Sequence, residues 1–366
     1  MNPFDVGFGK VPKIFLDRSE LVETTLKALK DENSLFQTSL VYGMRGSGKT
    51  SFMTEVSEKL AKDDKWLTID LSISDGLIED FADYLEKESK TNQALAASIQ
   101  SLGLSAFGLS ASFSRKEEGE AAKIKIESLL EQLTKKNISL LLTIDEVTNT
   151  KAVREFASFY QVLVRKKFKI AILLAGLPEN INQLITHDVL TFLLRANKIL
   201  LPTLGDYSIM DSYLKTFGKG GRQISSEVLT KMAAYVKGYA YAFQLLGYLL
   251  WNQTENKKRV TDKDLEAVLP TYQAYLFQNV YTLMYRQFTG QEKLFLKVMA
   301  QNDVLEVPSA YLVEELGKTK AYVNVYRDRL LKSQVLTSPE RGQLTFSLPY
   351  FKDFLLQQAA LEAVEI

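Results

Sequence analysis

The residues best able to do chemistry sit in two short stretches. Gly43-Met-Arg-Gly-Ser-Gly48-Lys49-Thr50 has the spacing G-x-x-x-x-G-K-[ST]. Its glycines let backbone N–H groups curl around a phosphate, and the start of the following helix adds its positive dipole end. Lys49 would reach the β- and γ-phosphates, and Thr50 would offer its hydroxyl to Mg²⁺. Gly43, Arg45, Gly46, Ser47, Gly48, Lys49, Thr50 and Ser51 are the expected contacts to a nucleotide's phosphates. In the second stretch, the apolar run Leu140–Ile144 ends in Asp145-Glu146. An Asp at the end of a buried strand is poised to hold Mg²⁺, usually through water, so Thr50 and Asp145 are the expected metal ligands. Glu146 would polarise a water for attack on the γ-phosphate. The bland readings are a Gly-rich turn with a chance lysine and two carboxylates that cap a helix. Finding both motifs in one chain, one after a strand and one ending a strand, favours the chemical reading.

The rest of the composition removes other chemistries. The 366 residues contain no cysteine and one histidine, His187. Disulfides, thiolate metal sites and Cys nucleophiles are therefore excluded, and His-based metal sites and Ser-His-Asp triads lose most of their material. Lys plus Arg number 45 against 44 Asp plus Glu, so the net charge is +1 and no global field draws the chain to nucleic acid or membrane. The first residues lack a basic stretch followed by an apolar core, and the longest apolar stretches fall short of a membrane span. The cytoplasm is the expected compartment, with no membrane partner.

Elements alternate as a phosphate-binding α/β domain requires. Ser19–Lys30 has helical spacing, Ser39–Tyr42 reads as a strand before the loop, and Ser51–Lys62 resumes a helix. Trp66–Ile73 reads as a strand and Leu77–Glu88 as a helix. Leu102–Phe113, rich in Ser and Gly, reads as a hairpin or a flexible insert, and 114–120 as solvated surface. A helix is expected from about Glu120 to Lys135, strands at Ile138–Ile144, Lys169–Ala175 and Asn197–Leu201, and a helix at Ala152–Val164. This alternation predicts a doubly wound α/β domain with a five-stranded parallel sheet over residues 1–202. After Pro202 the strand signal stops. Helices at Asp206–Thr216, Ser225–Val236, Tyr241–Trp251 and Asp262–Leu269 predict a helical lid over 203–270, with Pro270 ending it. The basic run Arg165–Lys169 reads as a solvated connection.

Residues 271–366 form the last expected domain. The aromatics between Tyr272 and Phe288 recur at three and four, as on a helix face packed on a core. Helices are expected at Gln291–Ala300, Ser309–Leu316 and from Thr319 to about Leu331. Val335–Ser338 and Leu344–Leu348 then form a hairpin, giving the order of a winged helix-turn-helix. On the third helix Val323, Tyr326 and Leu330 should face the core. Lys320, Asn324 and Arg327 form the neighbouring stripe, open to a DNA major groove, and Arg341 in the hairpin turn would reach a phosphate. A solvated helix face is the alternative, since Asp328 and Glu340 dilute the charge.

The loop GMRGSGKT, LLLTIDEV, the entry segment with Arg18, the strand ending Ala175-Gly176-Leu177-Pro178, Arg195, the lid and the terminal winged helix together resemble the AAA+ ATPases, in the branch near origin-recognition initiators and STAND-type switch NTPases. The resemblance implies ATP and Mg²⁺ as ligands. It also implies that Arg195 acts on the γ-phosphate of a neighbouring subunit, which would make Glu146, Lys49 and Arg195 the catalytic set; an ordinary cation at a helix C-terminus is the other reading of Arg195. Two departures from the family pattern matter. No polar residue ends the fourth strand, which reads Leu173-Leu174-Ala175-Gly176. The lid offers Lys237-Gly238-Tyr239-Ala240, closer to the Gly-x-Pro turn of STAND proteins than to a phosphate-seeking arginine. Slow hydrolysis, or a nucleotide switch engaging double-stranded DNA, is expected. A STAND-like regulator that binds a protein partner and a nucleotide binder that never hydrolyses are the alternatives.

Overall fold

A computed structural model describes residues 1–7, 14, 18–91 and 115–364. The expected hairpin or insert at Leu102–Phe113 lies outside the described residues. Two compact units emerge: Arg18–Tyr42 with Lys49–Leu201, and Met1–Asp17 with Gly43–Gly48 and Pro202–Ile366.

The first unit is built on β1 (Thr38–Tyr42), β2 (Trp66–Leu71), β3 (Ser139–Ile144), β4 (Ile170–Gly176) and β5 (Asn197–Leu200). They form one five-stranded sheet in the order β2-β3-β4-β1-β5, every pairing parallel. Strands buried on both faces read as continuous apolar runs, which is why β3 and β4 were legible. Successive residues serve opposite layers. Leu140, Leu142, Ile144, Ile172 and Leu174 pack in one cluster with α3 (Leu77–Thr91), α4 (Arg115–Lys135) and α5 (Lys151–Arg165). Leu141, Ala171, Leu173 and Ala175 pack on the other side with α1 (Ser19–Leu29) and α2 (Lys49–Leu60). The sheet is therefore doubly wound, as expected. Helix α4 begins at Arg115, earlier than the charge pattern suggested. The basic run 165–169 is partly neutralised, with Lys166 paired to Glu127 and Lys169 to Glu32. Short α6 (Pro178–Ile185) starts with proline at its first position, where no helical N–H is needed.

The second unit is mostly helical. It holds α7 (Asp206–Lys219), α8 (Ser226–Val236), α9 (Ala240–Gln253), α10 (Asp262–Leu276), α11 (Thr282–Gln287), α12 (Gly290–Gln301), α13 (Ser309–Leu316), α14 (Lys320–Lys332) and α15 (Phe351–Val364). Pro270 does not end its helix: α10 runs on to Leu276 and passes through a π-helical turn, Phe277–Tyr281, into α11. Pro270 and Glu266, whose carbonyl loses its helical donor, are both exposed, so water takes over that bond at little cost. The strand signal also does not stop at Pro202. β6 (Gln223–Ile224) pairs in parallel with β7 (Arg259–Val260), and β8 (Val307–Pro308) joins the hairpin of β9 (Leu336–Thr337) and β10 (Gln343–Phe346) in the order β8-β10-β9. Strands of two residues carry no periodicity to read.

One core runs through this unit, from Phe4 and Leu204 to Leu355. Phe4 anchors the first residues of the chain in it. Its ring lies 5.7–5.8 Å from those of Tyr213, Phe217 and Phe243, and it fills the space a side chain at Gly247 would need. Asn2 donates to the Tyr248 carbonyl, and the Asp5 N–H donates to Gln244. Among the described residues no helix is long and apolar enough to cross a membrane.

Candidate functional site

Thr50 and Asp145 meet in the first unit. Lys49 opens α2, and Thr50, one residue on, donates its hydroxyl to one carboxylate oxygen of Asp145 at the end of β3. The other Asp145 oxygen accepts the Glu146 N–H at 2.7 Å. Glu146 takes a left-handed backbone, φ 54°, and leaves its side chain exposed. A non-glycine residue held there costs of order 1–3 kcal/mol and is typical of functional sites. One stripe along α2 from Thr50, the Ser57 hydroxyl donates to Asp70 at 3.3 Å, and Thr143 on β3 donates to the same oxygen at 2.6 Å. A polar seam thus runs between α2 and the sheet. Asp70 was visible in the sequence only as a lone charge inside the strand WLTIDL.

A hydroxyl and a carboxylate are hard oxygen donors and suit Mg²⁺, which in phosphate sites takes few protein ligands and completes its shell with water and phosphate oxygens. Among the described residues no group of three or more His, Asp or Glu is arranged to hold a metal. The end of β4 has a steric reason for lacking a polar side chain. A Cβ on Gly176 would stand 2.9 Å from the Val147 carbonyl and 3.1 Å from Ile181, while Ala175 is fully buried and its carbonyl accepts the Val147 N–H.

The phosphate loop belongs to the second unit. Gly46 and Gly48 adopt φ values of 75° and 89°, which glycine alone tolerates freely. The Ser47 N–H closes a turn onto the Met44 carbonyl at 3.2 Å. Sequence reasoning missed three contacts to this loop. The Tyr239 hydroxyl donates to the Arg45 carbonyl at 2.7 Å, the Tyr241 N–H donates to the Gly46 carbonyl at 3.1 Å, and the Gln334 side-chain oxygen accepts the Met44 N–H at 3.1 Å. Burial pushes the Tyr239 phenol far above its ordinary range, so it stays a neutral donor. The turn before it is left-handed at both Lys237 and Gly238, and the Lys237 ammonium donates to the Phe346 carbonyl at 2.5 Å. Burial lowers the pKa of that lysine.

The other expected residues lie apart from these. Arg195 ends a 3₁₀ turn, Asp188–Arg195, and is exposed; it is hydrogen-bonded to neither Thr50 nor Asp145. Lys320, Asn324 and Arg341 are exposed in the second unit. Arg327 is half-buried and pairs with Asp328 at 3.4 Å. Val323 and Leu330 are buried, with Tyr326 packed half-buried beside them. Of the aromatic series, Tyr272, Tyr281 and Tyr285 enter the core, whereas Tyr275 is exposed. His187 is half-buried beside Asn149, Gln183 and Thr186.

Residues 15–177 match an ATPase domain predominantly from Archaea, and residues 278–355 match a domain of unknown function (DUF8462). No curated protein matches the chain in sequence. Among solved structures, a Walker-type ATPase of Pyrococcus abyssi is similar at 13% identity and a TM-score of 0.59, over 93% of this chain and 96% of that one. The ORC2 protein of Aeropyrum pernix in its ADP form is similar at 13% identity and a TM-score of 0.50, over 98% and 97%. With the parallel sheet order and the phosphate-loop sequence after β1, these likenesses identify the fold of the chain as that of a P-loop NTPase.

Proposed function

We propose that this protein is an AAA+-type ATP-Mg²⁺ switch of the cytoplasm, with slow hydrolysis, that engages double-stranded DNA through a C-terminal winged helix. The observation that carries the nucleotide reading is the hydrogen bond from Thr50 to Asp145, residues 95 positions apart that a phosphate loop and a metal-holding strand end must bring together. In this reading the loop Gly43–Gly48 and the Lys49 ammonium hold the phosphates, Thr50 and Asp145 would hold Mg²⁺, and the exposed Glu146 carboxylate takes a proton from the attacking water. An ion held by Thr50 and Asp145 would supply positive charge against the negative charge that develops on the phosphate in the transition state. Slow turnover follows from β4, where the space at Gly176 leaves no room for a side chain to orient that water. Arg195 is exposed, as a residue that reaches a neighbouring copy's phosphate must be.

The winged-helix reading of residues 290–348 is supported by the order helix, strand, two helices, hairpin, with α14 bringing Lys320, Arg327, Arg329 and Lys332 against Asp328 alone. A second reading, a regulator whose C-terminal module packs on the nucleotide loop and binds a protein, is favoured by the bond between Gln334 and Met44. Calorimetry tests the nucleotide reading: Lys49→Ala should abolish ATP binding or weaken it severely, and unchanged affinity would sink it. Duplex binding at low salt separates the DNA reading from the regulator.

A further inference from the structure

We propose that Tyr239 is a positioning residue for nucleotide phosphates, holding the loop Met44–Ser47 in its anion-accepting shape from the start of α9. The inference rests on the reading that this loop binds phosphate. A peptide unit is planar and trans, so its carbonyl and its N–H point in opposite directions. Tyr239 fixes the Arg45 carbonyl, which turns the Gly46 amide to the far side. The Tyr241 N–H fixes the Gly46 carbonyl, and the Ser47 amide of that same unit closes the turn onto Met44. Two consecutive peptide planes are thus set by three hydrogen bonds, two of them from α9.

The arrangement serves both partners. Tyr239 is the N-cap residue of α9 and its side chain caps nothing in its own helix, so the Gly46 carbonyl satisfies one of the N–H groups that a helix start leaves unpaired. The tyrosine also explains why residue 46 must be small: a Cβ there would stand 2.3 Å from the Tyr239 oxygen. The hydroxyl is held at a fixed point. Its ring is buried, the Tyr239 carbonyl accepts the Phe243 N–H at 3.0 Å, and Gly238 before it accepts the Leu204 N–H at 2.9 Å. A Cβ on Gly238 would lie 2.9 Å from Thr203, which fixes how closely that turn packs.

Calorimetry with ATP, ADP and inorganic tripolyphosphate, each with Mg²⁺, tests the proposal on four proteins. Tyr239→Phe keeps the ring and removes the donor. Tyr241→Pro removes the N–H at a first-turn position where proline is tolerated, and Tyr241→Ala removes the ring but keeps the N–H. Tyr239→Phe should raise the Kd of all three ligands by a common factor of roughly three to ten, the worth of one hydrogen bond. Tyr241→Pro should do the same, and should lose clearly more affinity than Tyr241→Ala, which keeps the N–H. Wild-type affinity in Tyr239→Phe overturns the proposal, and so does a loss confined to ATP and ADP, which would place the effect on the base or sugar. If Tyr239→Phe does not fold, equal affinities in Tyr241→Pro and Tyr241→Ala overturn it. Wild-type protein that binds none of the three ligands refutes the phosphate-loop reading itself.

Discussion

Glu146 combines an exposed carboxylate with a left-handed backbone directly after the residue that meets Thr50. In that conformation the Glu146 N–H donates to the Asp145 carboxylate while the Glu146 side chain stays exposed. Glu146→Gln keeps the shape and cannot take a proton. ATP affinity should stay within about twofold while phosphate release falls by roughly 10²–10⁴, the usual worth of a general base. A wild type without any phosphate release assigns the chain to the pure switch reading. At this scale the sequence was readable where function demands particular residue types at fixed spacing, as in Gly43–Thr50 and Asp145-Glu146. It was silent on Tyr239 and Gln334 because both bind backbone groups, of Arg45 across 194 residues and of Met44 across 290, and a bond to the backbone leaves no trace in residue type.

Helix α14 shows the same division between elements. Thr319 caps it by accepting the Tyr322 N–H, and Val323 and Leu330 bury one stripe, as the 3.6-residue period predicts. The neighbouring stripe divides: Lys320 and Asn324 face solvent, whereas Arg327 lies half-buried against Asp328. If the helix enters a major groove, Arg341→Ala should weaken binding to every duplex and lower the salt slope by about one. Arg327→Ala should cost about 1–3 kcal/mol and relax preference at one position. Anisotropy over a salt series reads both, and a wild type that binds no duplex at low salt in any nucleotide state removes the DNA reading. Long periodic elements such as β3, β4 and α3 were legible. The continuation of α10 was not, because Pro270 looks like a stop and passes as a helix residue only where its surroundings face water. Around the π-helical turn after it Tyr272, Tyr281 and Tyr285 are buried and Phe277 and Phe288 half-buried, whereas Tyr275 is exposed.

On the scale of the whole molecule, the alternation of strand and helix foretold the sheet, whereas the division of the chain into units could not be seen in any local pattern. The second unit gathers residues from three stretches of sequence, and the anchor of the first stretch is Phe4. Phe4→Ala should cost about 3–5 kcal/mol, the usual loss for a large aromatic removed from a core. Thermal unfolding followed through Trp251, whose ring lies 6.2 Å from that of Phe4, should shift to lower temperature. A variant as stable as wild type would show that the first residues only decorate the core. The same threading sets an order in time. Asp5 finds its partner Gln244 only after 239 further residues have been made, which takes about 12–50 s at ribosomal rates. The sheet, finished at Leu200, can close well before then, while Phe4 waits with its ring in water. During synthesis this aromatic therefore stays unburied until its ring neighbours Tyr213, Phe217 and Phe243 have been made, more than 200 residues later.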